Sequence, residues 1–107
     1  MKISQTAASI DAMRSAAAEA TALLFALANE NRLLLLCQLS QGERNVSELE
    51  ALLGILQPTL SQQLAVLRRE GLVETRREGK QIFYRISSPA ALAVINTLYQ
   101  QFCGGAQ

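Results

Sequence analysis

The sequence predicts a mainly helical domain with one β-hairpin, in the order α-α-α-α-β-β-α of a winged helix-turn-helix. Apolar residues recur at helical spacing in five segments, and a short connection joins the third segment to the fourth. A strictly alternating run, Ile82, Tyr84 and Ile86, then indicates a strand after a glycine-containing turn. At 107 residues we expect one domain, residues 1–107, of a size that often gains stability by dimerising.

Composition excludes several classes of protein. Half of the residues are hydrophobic and 18% are charged, which is typical of a globular chain. The scarcity of aromatic residues and the absence of Trp argue against a protein that stacks on single-stranded nucleic acid. No apolar run approaches the ~18 residues of a membrane span. Residues 1–10 lack the apolar stretch of a signal peptide, so we expect a cytoplasmic protein without membrane association.

The first and last predicted helices are candidates for a dimer interface. The first, residues 6–28, is rich in alanine and contains neither Gly nor Pro. Its small side chains would let another helix approach closely, and ordinary core packing is the alternative. The last helix, residues 89–103, follows Ser88-Pro89 and has one apolar face. That face consists of Leu92, Ile95, Leu98, Tyr99 and Phe102.

Two short helices are predicted between them. The second helix, from about Asn31 to Leu39, is apolar nearly all round, which predicts deep burial. The third runs from Val46 to Leu53 and begins with a predicted capping box of Ser47 and Glu50, with Asn45 as the alternative cap.

The third and fourth helices, residues 46–70, form the predicted helix-turn-helix. The fourth begins near Pro58 and ends at Gly71. In this motif the N-terminal residues of the second helix contact base edges in the major groove. Glutamine can pair bidentately with adenine, and hydroxyl groups can contact bases or phosphates. The candidates are Gln57, Thr59, Ser61, Gln62 and Gln63, with Arg68 and Arg69 two turns later, nearer the DNA backbone.

The predicted wing, residues 72–87, is basic. Its strands span 72–77 and 81–87, with Glu78-Gly79-Lys80 as the turn. The net charge of +1 conceals an asymmetry, because six basic and three acidic residues lie in residues 68–107. We expect Arg77 and Lys80 to lie across neighbouring DNA, because a local basic patch attracts phosphates. An ordinary solvated surface is the alternative.

These residues resemble a known family. The strings NENRLLLLCQL and VSELEALLGILQPTLSQQLAVLRREGLVETRREGKQIFYRI resemble the ArsR/SmtB winged-helix repressors, and the resemblance covers residues 20–103. It implies a symmetric homodimer built from the first and last helices. It also implies binding to an imperfect inverted repeat in operator DNA, and an inducer that weakens this binding.

Many members of that family sense metals, and this sequence departs from their pattern. Their third-helix site has two cysteines one residue apart, and the matching positions here are Asn45 and Ser47. Their fifth-helix zinc site needs histidines, and this chain has none. Because zinc sites usually combine about four Cys, His or carboxylate ligands, we expect no metal and no cofactor.

The two cysteines suggest an inducer other than a metal ion. Taken singly, Cys37 is typical of a small buried hydrophobe and Cys103 of an idle thiol. Their placement resembles the branch that contains BigR, SqrR and HlyU, whose members respond to reactive sulfur or oxidants. In that branch the matching cysteines form a disulfide or polysulfide link. The resemblance therefore implies a redox switch at Cys37 and Cys103, and reactive sulfur and peroxide both remain open as the inducer.

Functions from other classes have less support. The chain has no His for a catalytic triad, no phosphate-binding loop and no evident pair of catalytic carboxylates, so we expect no enzymatic activity. A winged helix that binds protein instead of DNA is the main alternative, since a fold does not fix a function. Such a module would lose the basic wing and the polar helix face, and this sequence keeps both.

Overall fold

The structure, a computed structural model, describes residues 7–104 and confirms the predicted order of helices and hairpin. Residue 6, where the first helix was predicted to begin, lies outside this range. The elements are α1 (Ala7–Leu27), α2 (Glu30–Leu39), β1 (Arg44–Asn45), α3 (Val46–Leu53), α4 (Thr59–Arg69), β2 (Val73–Glu78), β3 (Gln81–Ile86) and α5 (Pro89–Phe102). The two-residue strand β1 was not predicted, because two residues are too few to show an alternating pattern.

The core lies around α2, which packs against α1, α3, α4 and α5. The predicted inward stripe of α4, Leu60, Leu64 and Leu67, is buried as expected. Burying one leucine contributes roughly 1.5–3 kcal/mol, so this stripe fixes the rotation of α4 against the core. The prediction that α2 is buried all round was wrong on one side, where Leu34 is 39% exposed. The rest of the core is Ala26, Leu27, Leu35, Leu36, Leu39, Leu49, Ile55, Leu72, Val73, Ala91 and Ile95.

The start of α3 is capped by Asn45. Its Oδ1 accepts a hydrogen bond from the Glu48 N–H over 2.8 Å, and Glu48 Oε1 accepts one from the Asn45 N–H over 2.8 Å. This is a complete capping box, one that does not use Ser47 and Glu50. The reason is the sheet: Asn45 pairs with Phe83, which holds its backbone extended, so the helix begins at the next residue.

The three strands form an antiparallel sheet in the order β1-β3-β2. Glu78 pairs with Gln81, so the turn is only Gly79-Lys80, and Glu78 belongs to β2. Gly79 has a φ of 64°, a conformation that favours glycine. Successive strand residues point to opposite faces, so Arg76 and Arg77 lie on opposite sides of the wing.

The first two thirds of α1 extend away from the core. The side chains of residues 10–22 are all exposed, and the molecule measures 52 × 34 × 21 Å. Its radius of gyration is 16.1 Å, whereas a compact chain of this length would have about 13 Å. Among the described residues no single helix could cross a membrane, and only α1 and α2 taken together, bent by 96°, have the required length and composition.

Candidate nucleic-acid interface and thiol pair

The N-terminal end of α4 presents polar side chains to solvent. Gln57, Thr59, Ser61 and Gln62 are exposed, as their predicted role requires, whereas Gln63 is partly buried. The Ser61 hydroxyl donates a hydrogen bond to Gln57 Oε1. No side chain caps this helix end, so N–H groups of its first turn can receive an anion such as a phosphate.

Gln63 is held by a residue that the sequence did not single out. Arg32, in α2, donates from Nη1 to Gln63 Oε1 over 2.8 Å. The same guanidinium donates from Nε to the Ala26 carbonyl over 2.5 Å and from Nη2 to the Phe25 carbonyl over 3.4 Å. A lone arginine at the start of an apolar helix was the available signal, but its partner lies 31 residues away.

The basic residues of the wing divide into paired and unpaired groups. Arg76 pairs with Glu43 and Glu78, and Arg85 pairs with Glu74. Both arginines are therefore locally neutralised, which reduces the cationic surface expected from the sequence.

Within α4 and the wing, three exposed cations have no carboxylate partner among the described residues: Arg68, Arg77 and Lys80. Arg69 is also exposed and lies 3.6 Å from the Glu70 carboxylate. The four residues are those predicted to contact the DNA backbone. A groove of about 420 Å³ separates α4 from the wing, and its lining includes Ser61, Arg68, Arg69 and Tyr84.

Among the ion pairs of the described residues, the pair of Glu43 and Arg76 is the one in which the pKa values of both partners are shifted. The hydrogen bond from Arg76 holds the pKa of the Glu43 carboxyl below its usual range, and the positive charges of Arg76 and Arg85 lower it further. Hydrogen bonds from Arg76 to Glu43 and Glu78 likewise raise the pKa of the arginine. The Arg76 guanidinium also lies 4.6 Å from the centre of the Phe83 ring, within cation–π range. Arg76 therefore has a structural role within the wing.

The two cysteines are far apart in sequence, but they belong to two helices, α2 and α5, that pack against each other. Both are free thiols: Cys37 is partly buried in α2, and Cys103 is exposed at the end of α5. Burial raises the pKa of the Cys37 thiol, and the negative charge of the Cys103 thiolate raises it further.

A family model and known relatives match this chain. The model described as "Bacterial regulatory protein, arsR family" matches residues 29–75. The Biofilm growth-associated repressor of Agrobacterium fabrum is 55% identical over 94 residues, which cover 88% of this chain and 80% of that protein. The chain belongs to the ArsR family.

Two solved structures match a larger share of the chain than the family model does. The crystal structure of the transcriptional repressor BigR from Xylella fastidiosa superposes on this ArsR-family protein with a TM-score of 0.81 and 52% identity, covering 87% of this chain and 95% of that one. A homodimeric winged helix-turn-helix DNA-binding domain from Mycobacterium bovis superposes with a TM-score of 0.71 and 34% identity, covering 82% of both chains. The chain is thus a DNA-binding transcriptional regulator of the ArsR type.

The ArsR-family match divides the candidate residues. Residues 29–75 contain α2, α3 and α4, and so include Arg32, Cys37 and the exposed side chains of α4. Cys103 and most of the wing lie outside that match. The positions at which the metal-sensing members have cysteines serve other purposes here: Asn45 caps α3 and Ser47 is an exposed helix residue. Within residues 7–104, no three His, Cys, Asp or Glu side chains are grouped to hold a metal ion.

Proposed function

We propose that this ArsR-family protein is a homodimeric repressor whose operator affinity falls when reactive sulfur species link Cys37 to Cys103. The observation that carries the proposal is the placement of the two free thiols, one in α2 and one at the end of α5, because these helices pack against each other. The raised pKa of Cys37, to which Cys103 contributes, agrees with this placement. Cytosolic disulfides are rarely structural, so a pair of thiols that can meet favours a redox-sensing role. A transcriptional repressor acts where its operator DNA is, so we assign this protein to the cytoplasm.

Operator binding is proposed to use α4 and the wing. Thr59, Ser61 and Gln62 are exposed at the end of the helix that enters the major groove in this motif. Gln57 and Gln63 flank them, and Arg68, Arg69, Arg77 and Lys80 would neutralise phosphates on either side. A symmetric dimer reads two half-sites about 34 Å apart, so the operator is proposed to be an imperfect inverted repeat.

The proposed dimer interface is the apolar surface of α1 and α5. Phe25 is 76% exposed and Phe102 is 81% exposed, values unusual for aromatic side chains in a monomer. Ile10, Met13, Leu24, Leu92 and Tyr99 are also exposed large hydrophobic residues. A second copy covering this surface would place its own α1 and α5 there, as expected for a symmetric interface.

The link can form by two balanced steps. The exposed Cys103 thiolate first attacks a sulfane sulfur of a polysulfide, giving Cys103–S–S–SH and a shorter polysulfide as the leaving group. The Cys37 thiolate then attacks the middle sulfur and expels HS⁻, leaving a trisulfide. If Cys103 carries a single added sulfur, attack on its own Sγ expels HS⁻ and leaves a disulfide. With peroxide, Cys103–SOH would form first and hydroxide would be displaced instead.

The link is proposed to act through geometry, because it leaves the charge of the DNA-binding surface unchanged. It would attach the end of α5 to α2, and α5 is also part of the proposed dimer interface. The two α4 helices would then shift relative to each other and lose simultaneous contact with both half-sites. A coupling of ~1–3 kcal/mol would lower the affinity ~5–150-fold.

The test is an affinity measurement with an operator obtained by selection from a randomised duplex library. Inorganic polysulfide should lower the affinity of the wild-type chain ~5–150-fold, and mass spectrometry should find Cys37 linked to Cys103. The variants Cys37→Ser and Cys103→Ser should retain their affinity. If Cys103→Ser still loses affinity with polysulfide, the proposed switch is wrong.

Two further experiments distinguish the possible inducers and test whether the chain binds DNA or protein. A multi-sulfur link that only polysulfide forms would decide for reactive sulfur, whereas a disulfide formed equally well by peroxide would decide for a general oxidant sensor. For the protein-binding alternative, a salt series with duplex DNA is decisive. DNA binding should weaken steeply with salt as counterions are released, and no binding even at low salt would favour the protein-interaction module.

A further inference from the structure

The contact between Arg32 and Gln63 fixes the direction of one amide on the recognition helix. A guanidinium carries only donors, so the Gln63 atom 2.8 Å from Arg32 Nη1 must be the carbonyl oxygen. The NH₂ group of that amide therefore points away from Arg32. Gln62, its neighbour in α4, is exposed, and no hydrogen bond engages its amide within the described residues.

Adenine recognition by glutamine uses both ends of the amide, which accepts from N6 and donates to N7. We propose that Arg32 is a specificity-determining positioning residue. By accepting from Arg32, Oε1 of Gln63 is held toward α2, so the NH₂ end of this amide faces a base edge and bidentate adenine recognition is left to Gln62. Gln63 then selects acceptors at a base edge, such as guanine N7 and O6 or thymine O4. This inference rests on the DNA-binding role of α4 in the proposed function.

Arg32 is itself fixed in place by the end of α1. The carbonyls of Ala26 and Phe25 belong to the last turn of that helix, where carbonyl groups lack i+4 partners, although the Phe25 carbonyl also accepts from the Ala28 N–H over 3.3 Å. Nε and Nη2 satisfy them, which orients the planar guanidinium before DNA arrives. A hydrogen bond from a charged donor is also stronger than one between neutral groups. The restriction on Gln63 is therefore built into the free protein.

The experiment is selection from a randomised duplex library with the full-length chain and its Gln62→Ala, Gln63→Ala, Arg32→Ala and Arg32→Ala/Gln63→Ala variants. Gln62→Ala should lose an adenine preference at one position of each half-site. Arg32→Ala should gain adenine at a different position, by about fivefold or more, because the Gln63 amide can then turn and present both its oxygen and its NH₂ group to a base. The double variant should have the same base preferences as Gln63→Ala.

Gln63→Glu keeps the partner of Arg32, so it tests the inference even if Arg32→Ala folds poorly. It replaces the outward donor by an acceptor and should abolish the guanine or thymine preference at the Gln63 position. The inference is overturned if Arg32→Ala lowers affinity equally for all sequences with unchanged base preferences, or if Gln63→Glu keeps the wild-type preference. Failure of the wild-type chain to enrich any sequence would instead contradict the proposed function.

Discussion

Glu43, in the loop between α2 and β1, holds the guanidinium of Arg76 in β2 through two hydrogen bonds of 2.8 Å each. The two residues lie 33 positions apart, so the contact joins the wing to the body of the domain. It also directs Arg76 away from the face of the sheet that carries Arg77. Two adjacent arginines therefore have separate roles, one within the fold and one available to DNA.

Substituting each of these arginines should separate the two roles. Arg77→Ala should weaken binding to all DNA sequences alike and reduce the slope of log affinity against log salt by about one, as expected for one lost phosphate contact. Arg76→Ala is the matched control, because it removes the same charge from a neutralised position and should leave the slope unchanged. The measurement is fluorescence anisotropy with a labelled duplex over a salt series. Equal slopes for both variants would contradict the assignment.

Glu43 should make the stability of the wing depend on acid. Its pKa is lowered in the folded chain, so its contribution is present above the unfolded pKa of about 4.3 and is lost as the pH falls through the folded value. Glu43→Gln should therefore have a lower thermal midpoint than wild type at pH 7, and the difference should shrink below about pH 4.3. An NMR titration should find that Arg76→Ala raises the Glu43 pKa. A difference in midpoint that does not change with pH would contradict the ion pair.

Cys37 should make closure of the link faster at alkaline pH. Its pKa is raised by burial and by Cys103, so the attacking thiolate becomes abundant only above the ordinary value of about 8.5. If Cys103 is first capped as an aryl disulfide, attack by Cys37 on its Sγ releases the coloured aryl thiolate. The release rate should still be rising at pH 9, and Cys37→Ser should release none. A plateau below pH 8.5 would contradict the raised pKa.

The raised pKa of Cys37 should also affect the stability of the folded chain when both thiols are reduced. Because the unfolded chain loses the Cys37 proton first, stability should decline as the pH rises from the ordinary thiol pKa through the folded one. The Cys37→Ser variant should lack this part of the alkaline decline. Thermal midpoints of both chains, measured between pH 7 and 10, test this expectation.

The exposed aromatic residues should control assembly. Phe102→Ala removes a side chain that we assign to the dimer interface. Losing ~1.5–3 kcal/mol of apolar burial from each of the two protomers would weaken dimerisation by ~150-fold or more. Leu52→Ala is the control, because Leu52 is 54% exposed on α3, outside that surface. Sedimentation equilibrium should find the Leu52 variant dimeric at concentrations where the Phe102 variant dissociates. Equal dimerisation of both variants would place the interface elsewhere.

The helices and the hairpin could be predicted from the sequence, because their signals are local and repeat along the chain. The stripe of Leu60, Leu64 and Leu67 and the alternation in β3 each give several consistent observations within a dozen residues. The cap of α3 was left between Ser47 and Asn45, because the choice depends on pairing with a strand that lies almost forty residues later, and the structure has the alternative, Asn45.

The candidate site was less predictable, because its decisive contacts join distant parts of the chain. Local spacing indicated which wing residues are basic, but the neutralisation of Arg76 by Glu43 depends on how the loop after α2 meets the sheet. The engagement of Gln63 by Arg32 likewise depends on the packing of α2 against α4. The pairing of the cysteines was implied only by family resemblance, since burial and proximity are properties of the folded chain.

Arg32 and Cys37 lie on the same ten-residue helix, α2. Five residues of α helix rise about 7.5 Å, so the thiol and the contact to the recognition helix are separated by less than two turns. If α2 moves as a rigid body, Cys37 and Arg32 are displaced together, and no chain of intervening side chains is needed to couple them. The thiol and the contact to α4 then move with the same helix. A different reactive side chain on α2 could therefore control DNA binding without any change in the DNA-binding residues.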